Sequence, residues 1–191
     1  MNRRVATLVL LSILASPRGN EASQDQIPAP YQALLMLRVL TYNRAFAAAD
    51  RKDATAAVLV PTGGGPDQAE ASQMIEAIGV IARKTRVLGR SLKVARVAFT
   101  KDGLASLREL RPDILYVGHA FGGSVPEIAR VTRAASVLTF TPSRRAVEAG
   151  LAIGLVRRPP AAALLVNLEA ARAEGADLDR QLLDLAELVR R

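Results

Sequence analysis

Cysteine is absent from the 191-residue chain, and histidine occurs once, at His119. The absence of cysteine excludes disulfides, thiolate metal sites and a cysteine nucleophile. A zinc site would have to rest almost wholly on carboxylates, which is uncommon for that metal. Aromatic residues make up only 4% of the chain, whereas half of its residues are hydrophobic, so the core must be mostly aliphatic. We therefore expect a single domain without a metal ion or another cofactor.

Acidic residues are missing from the stretch RKTRVLGRSLKVAR, residues 83–96, although the stretch holds six basic residues of a chain with a formal net charge of +8. A solvated helix end followed by a strand edge would explain this pattern. A docking patch for an acidic protein or for phospholipid headgroups is the alternative. Nucleic acid is disfavoured as a partner because base stacking requires aromatic side chains, and none lies here. The predicted partner or dimer surface comprises Tyr42, Phe46, Arg83, Lys84 and Arg86.

The N-terminus has the pattern of an export signal. Arg3 and Arg4 precede an apolar run over residues 5–15, and Pro17 and small or polar residues follow it. The run is eleven residues long, whereas a membrane-spanning helix needs about 20. The pattern is typical of a secretory signal peptide. We predict a signal peptide over residues 1–23, a lead-in over 24–30 and one domain over 31–191, placed in the periplasm or secreted after cleavage.

Short apolar runs alternate with helical patterns along the rest of the chain. Leu35, Val39, Tyr42 and Phe46 lie on one face of a predicted first helix. Four strand-helix units follow, and two strand-like runs around Arg157-Arg158-Pro159-Pro160 predict a hairpin. This order predicts an α/β fold of three layers, with helices on both faces of a mostly parallel sheet and a late antiparallel hairpin. In a predicted terminal helix the buried stripe is Leu178, Leu182, Leu185 and Val189.

Ligands of open α/β sheets bind outside the carboxyl ends of the strands. The chain has no phosphate-binding motif there, because neither GGGPDQAE nor GHAFGGS has the residues of a Walker or dinucleotide loop. His119 lacks a predicted orienting acid, since Asp113 should lie at the opposite end of its strand, and we expect no catalytic residue. A plain bend between strand and helix is one interpretation of this loop, and ligand recognition is the other. The candidate ligand-binding residues are Gly64, His119, Ser124, Ser143 and Arg144.

The last third of the chain resembles the C-terminal signature of the YfiR-like family of periplasmic regulators. The matching segment is AIGLVRRPPAAALLVNLEAARAEGADLDRQLLDLAELV. The family often has Trp-Pro after the first helix, and several members have cysteines; this chain has neither, so redox control is not transferable. The residues that match the signature are Asn167, Leu168, Ala171, Gly175, Leu182, Leu183, Leu185, Ala186 and Val189.

The resemblance implies a regulator rather than an enzyme. It implies binding to the outer domain of a membrane-anchored sensor protein, a diguanylate cyclase or a kinase, and repression of cyclic-di-GMP synthesis and biofilm formation. It assigns Asn167 as a helix cap and the leucines to core or dimer packing, so a homodimer is expected. A different interpretation remains open, namely a small-ligand-binding periplasmic protein that resembles one lobe of a solute-binding protein.

Overall fold

The computed structural model describes residues 26–189, which form an α/β domain around one seven-stranded sheet of order β2-β1-β3-β4-β5-β6-β7. The first five strands pair in parallel, β6 runs antiparallel to β5, and β7 runs parallel to β6. The predicted mostly parallel sheet with a late hairpin is thereby confirmed. The strands are β1 Asp53–Val60, β2 Ser91–Ala98, β3 Ile114–Tyr116, β4 Leu138–Thr141, β5 Ile153–Arg158, β6 Ala161–Val166 and β7 Glu187–Leu188.

Helices cover both faces of the sheet, as the sequence predicts. One face packs against α1, α3, α8 and the segment around α9, and the other packs against the helices between β2 and β5. A 3₁₀ helix over His119–Ser124 leads into α6. The α-helices are α1 Ala29–Thr41, α2 Arg44–Ala48, α3 Pro66–Lys84, α4 Lys101–Ala105, α5 Leu107–Leu110, α6 Val125–Ala135, α7 Arg144–Glu148, α8 Leu168–Ala173 and α9 Arg180–Asp184.

Strand β1 shows how the two cores form. Its side chains alternate between the faces: Ala56 and Val58 join one hydrophobic cluster, and Ala57 and Leu59 join the other. All four are fully buried. A strand covered on both faces has no polar side, which explains why its sequence is a continuous apolar run rather than an alternating one.

The predicted first helix is wrong beyond Thr41, where α1 ends. Asn43 starts a new helix, because its Oδ1 accepts hydrogen bonds from the backbone N–H groups of Ala45 at 3.2 Å and Asp177 at 3.0 Å. The break redirects Phe46 into the core, where its side chain is buried. The single stripe from Leu35 to Phe46 is therefore divided between two helices.

The predicted long terminal helix is also wrong. Helix α9 ends at Asp184, and residues 187–188 form β7 beside β6. The backbone N–H of Val189 donates to the carbonyl of Val166 at 2.9 Å. Pairing with the edge of the sheet satisfies the backbone groups of residues 187–189 as a helix would. It leaves the Leu185 side chain 76% exposed, although the helical pattern predicted that it would be buried.

The predicted signal peptide over residues 1–23 lies outside the described residues. Of the predicted lead-in, residues 26–30 are described, and α1 already begins at Ala29. Within residues 26–189, none of the helices combines the length and the apolar composition that crossing a bilayer requires.

Candidate functional site

Strands β1 and β3 are neighbours, but the chain leaves them in opposite directions. From β1 it passes through α3 to β2, and from β3 it passes through α6 to β4 on the other side. Helices α3 and α6 accordingly cover opposite faces of the sheet. A crevice opens at such a switch point, outside the carboxyl ends of the two strands. The loops after Val60 and after Tyr116 border it.

Glu70 is the centre of the polar contacts at this switch point. It lies in the first part of α3, and its carboxylate accepts three hydrogen bonds from the end of β3 and the loop after it. The Tyr116 hydroxyl donates at 2.8 Å, the His119 backbone N–H at 3.1 Å, and the His119 Nδ1 lies 3.0 Å from Glu70 Oε1. A single carboxylate therefore fixes both the phenol and the imidazole.

The ion pair shifts the protonation of both partners. The hydrogen bond that Glu70 accepts from the His119 ring raises the pKa of His119 above its ordinary value of 6.5, against the smaller opposing effect of burial. Burial alone would raise the pKa of Glu70, but the hydrogen bonds from His119 and Tyr116 outweigh it and hold the pKa below 4.5. Near neutral pH the carboxylate is ionised, and the imidazole retains its proton to a higher pH than a free histidine would.

Gly118 allows this close approach between the loop and the carboxylate. A Cβ atom at this position would lie 2.9 Å from Glu70 Oε2, closer than real Cβ contacts occur. A Cβ here would displace the Glu70 carboxylate, so the glycine allows the network to form. Gly122 and Gly123, farther along the same loop, have open space around them.

Tyr116 extends the network to the start of the domain. Its hydroxyl oxygen lies 3.2 Å from Gln32 Oε1, and the Gln32 side-chain amide donates to the carbonyl of Ile27 at 2.6 Å. Burial, strengthened by the neighbouring Glu70, raises the pKa of Tyr116, so the phenol stays protonated and acts as a donor. The segment before α1 is thus tied to the switch point through two buried polar side chains.

The five predicted ligand-binding residues have different contacts in the structure. Gly64 lies in the exposed loop after β1 with open space around it, and Ser124 precedes α6 without capping it through its side chain. Ser143 caps α7, since its Oγ accepts from the N–H of Ala146 at 3.3 Å. Arg144 forms a two-bond ion pair with Glu187 of β7, at 2.9 and 3.0 Å. Of the five, only His119 joins the Glu70 network.

The expectation that His119 has no orienting acid is wrong, because Glu70 supplies one. Asp113 does lie at the opposite end of β3, as predicted, where its carboxylate binds Arg51 at 2.6 Å and the N–H of Thr55 at 2.7 Å. Glu70 was missed because its proximity depends on the strand order, which places β1 next to β3. The signal available in the sequence was the position of Glu70 in the first turns of α3, the helix that follows β1.

This arrangement suits recognition better than catalysis. The His119 side chain is 44% exposed, and its Nδ1 is held by Glu70. Among the described residues, no hydroxyl or thiol forms a hydrogen bond with the imidazole. The Glu70–His119 pair therefore has no neighbouring nucleophile in this part of the chain. In the same part of the chain, no group of three His, Asp or Glu side chains could hold a metal ion.

Only some of the residues predicted for the partner surface are exposed. Arg83, Lys84 and Arg86 are exposed at and just beyond the end of α3, and Tyr42 is half-buried. The prediction is wrong for Phe46, whose side chain is buried. The Arg90 guanidinium lies 4.3 Å from its ring centre, so the ring cannot contact a partner.

Most of the signature residues have structural roles. The Asn167 Oδ1 caps α8 by accepting from the N–H of Ala170 at 3.0 Å, and its amide donates to Val147 at 3.1 Å. Gly175 has the positive φ of 81° that a turn after α8 requires. Ala171 and Leu182 are buried in the core; Leu168, Leu183 and Ala186 pack against it from partly exposed positions. Leu185 alone points to solvent.

Comparisons with solved structures show the same fold at low sequence identity. A conserved domain protein from Vibrio cholerae superposes with a TM-score of 0.64 at 15% identity, covering 87% of this chain and 61% of that one. A substrate-binding protein with adhesive properties from Clostridium difficile, in a ligand-free open structure, gives 0.61 at 15% identity, covering 83% and 58%. An ABC domain in complex with L-Trp from Streptococcus pneumonia gives 0.58 at 12% identity, covering 85% and 62%.

This chain thus spans about three fifths of the length of each of these structures. No curated protein matches the sequence. The model of the family described as YfiR/HmsC-like matches residues 33–187, which is most of the chain. The chain belongs to the YfiR/HmsC-like family, which supports a periplasmic regulator in general terms.

Proposed function

We propose that this protein is an exported regulator that binds the outer domain of a membrane-anchored diguanylate cyclase and represses it, and thereby limits cyclic-di-GMP synthesis and biofilm formation. Residues 1–23 serve as the signal peptide, 24–30 as the lead-in, and 31–191 as the regulatory domain. Family membership supports this role, and one surface feature supplies a place for the partner.

That feature is an apolar groove between α1, β6 and the α9 segment. Its volume is about 280 Å³. Leu185 stands at its border and is 76% exposed, a high exposure for a residue of the family signature. Apolar side chains left in water at a groove are typical of protein-binding surfaces. The groove is lined by Leu35, Arg38, Val39, Tyr42, Leu164, Leu182 and Leu185.

A pull-down from solubilised membranes tests this proposal. The purified protein should retain a membrane diguanylate cyclase, and Leu185→Glu should abolish retention because a charge at the groove cannot be buried without a partner. Leu110→Glu is the matched control, since Leu110 is an exposed leucine, at 37%, on α5 of the opposite face. Retention of no membrane sensor by the unmodified protein would contradict the proposal. Equal losses in both variants would contradict the role of the groove.

A second candidate function, binding of a small ligand at the β1–β3 switch point, is favoured by the Glu70–His119–Tyr116 network. A partly exposed imidazole that is held by an acid is suited to orienting a polar ligand. In a thermal-shift screen of anions, nucleotides and amino acids, at least one compound should raise the melting temperature. His119→Ala and Glu70→Gln should both remove the shift, and Ser124→Ala should preserve it. A screen in which no compound acts would eliminate this function without affecting the first.

A further inference from the structure

The turn Val87–Arg90, here named the Leu88 turn, has a residue that its backbone does not favour. Val87 and Arg90 exchange both backbone hydrogen bonds, at 3.1 and 3.0 Å, around two central residues with positive φ, 48° at Leu88 and 80° at Gly89. This geometry is that of a two-residue hairpin turn that strongly prefers Asn-Gly. A bulky apolar residue at positive φ is an outlier that costs free energy.

Burial does not compensate for this cost, because Leu88 is 50% exposed. The turn itself is firmly held, since the Arg90 guanidinium donates to the carbonyls of Phe46 at 2.6 Å and Ala47 at 3.2 Å. The leucine is therefore displayed to solvent on a fixed support. A leucine that neither favours the turn nor fills the core is best explained by a contact outside the domain.

Unpaired cations surround the Leu88 turn. Arg83 and Lys84 end α3, and Arg86 precedes the turn. None of these three pairs with a carboxylate in the part of the chain that the structure describes. The Arg86 Nη1 instead contacts neutral acceptors, the Ser91 Oγ at 3.0 Å and the Gly89 carbonyl at 3.4 Å. The α3 dipole accounts for two cations in its last turn, but it does not account for Arg86.

A second exposed leucine lies beside the same cations. Leu34 of α1 is 52% exposed, and it lines a groove of about 280 Å³ together with Arg38, Arg86 and Val87. Arg38 also has no carboxylate partner within residues 26–189. The face thus combines two protruding leucines with four cations, and none of the acids within residues 26–189 forms an ion pair with these cations.

We propose that the Leu88 turn, with Leu34 and the surrounding cations, docks this protein onto a membrane surface of anionic phospholipid. The cations bind the phosphate groups, and Leu88 enters the interface between headgroups and acyl chains, as apolar residues bordered by Lys and Arg do in membrane-surface proteins. Charge complementarity identifies the occupant, because residues 83–96 offer cations and an apolar tip but no acid. Docking would place the regulator beside the outer domains of membrane proteins, and it does not depend on the proposed partner.

Vesicle co-sedimentation of the purified chain, residues 24–191, tests this proposal. The protein should sediment with vesicles of phosphatidylglycerol and phosphatidylcholine and should stay in solution with phosphatidylcholine alone. Added salt should weaken the binding because it screens the charges. Replacing Arg83, Lys84 and Arg86 one at a time by Gln should weaken the binding about fivefold for each charge, which corresponds to about 1 kcal/mol.

Leu88→Asn is the sharpest variant, because it improves the turn while removing the apolar tip. Its melting temperature should equal or exceed that of the unmodified protein, since Asn-Gly is the preferred pair, while binding to anionic vesicles should fall about tenfold. The matched controls on the opposite face, Leu110→Asn and Arg130→Gln, should bind unchanged.

Three results would overturn the proposal. They are absence of sedimentation with the anionic vesicles, equal sedimentation with vesicles of phosphatidylcholine alone, and full binding by Leu88→Asn. If the protein does not sediment with anionic vesicles and the face instead binds a soluble acidic protein, the face serves protein recognition and the proposal is overturned. The pull-down of a detergent-solubilised partner contains no bilayer, so its outcome is independent of this one.

Discussion

Replacing Glu174 with glutamine should stabilise the protein at pH 8 and leave its stability nearly unchanged at pH 4.5. Glu174 follows α8 and is almost completely buried, at 1% exposure. Burial raises its pKa from 4.5 to about 8, and the hydrogen bonds from Thr139 and Thr132 oppose this only in part. The folded protein therefore binds a proton that the unfolded chain has released at the same pH.

The sign of the pH dependence follows from this difference in proton binding. Because the folded-state pKa is the higher one, the free energy of unfolding is greatest at low pH and falls as the pH rises from 4.5 through 8. A shift of about 3.5 pH units, at 1.36 kcal/mol each, gives a loss of about 4 kcal/mol between pH 4.5 and 8. That is a large share of the roughly 5–15 kcal/mol that holds a domain folded.

Glutamine can replace the protonated acid without leaving a polar group unpaired. Its carbonyl oxygen would accept from the Thr139 N–H, which lies 2.8 Å from Glu174 Oε2. Its amide would donate to the Thr132 hydroxyl, 3.0 Å from Oε1, and that hydroxyl can in turn donate to the Ala129 carbonyl at 3.3 Å. The variant therefore retains the contacts of the neutral acid and removes the titration.

Urea unfolding followed by circular dichroism, at several pH values between 4.5 and 8, measures the effect. The difference between the variant and the unmodified protein isolates Glu174, because His119 and the other titrating groups are common to both. The difference should grow from near zero to about 4 kcal/mol as the pH rises. A difference that stays constant over this range, or a variant that is less stable at pH 8, would refute the reasoning. Either result would show that the hydrogen bonds from Thr132 and Thr139 keep the Glu174 carboxylate ionised.

Three further changes have defined outcomes. By proton NMR, the single imidazole should titrate with a pKa above 6.5, and Glu70→Gln should bring that pKa to 6.5 or below; an unchanged pKa would contradict the ion pair. Gly118→Ala should lower the same pKa, because its Cβ would lie 2.9 Å from the Glu70 Oε2 and displace the carboxylate; Gly122→Ala, which has open space, is the control. Arg90→Met should cost about 3 kcal/mol in urea unfolding, because it leaves buried carbonyls unpaired and removes the cation above Phe46; a cost below about 1 kcal/mol would be incompatible with this role.

Local sequence patterns determined the secondary structure and the fold class. The apolar run of β1, the hairpin of β5 and β6, and the cap at Asn167 are set by residues adjacent in the chain, so their patterns can be read without knowing the neighbours. The same holds for the family, since its signature lies within one continuous segment. Where local pattern misled, tertiary contacts competed with it. Asn43 ended the first helix by binding both α2 and Asp177, and the edge of β6 drew residues 187–188 out of the terminal helix.

Only the tertiary structure decided the site. Glu70 and His119 are 49 positions apart, and they meet because β1 and β3 are adjacent in the sheet. Strand order follows from how whole layers pack, which no single segment encodes. The same reason hid the burial of Glu174 between α6 and β4. It also hid the partner of Arg144, because Arg144 pairs with Glu187 of β7, a strand that the sequence did not predict. The sequence by itself determined an α/β domain of the YfiR/HmsC-like family with one histidine in a strand-to-helix loop, and the packing of the layers supplied the acid that orients that histidine.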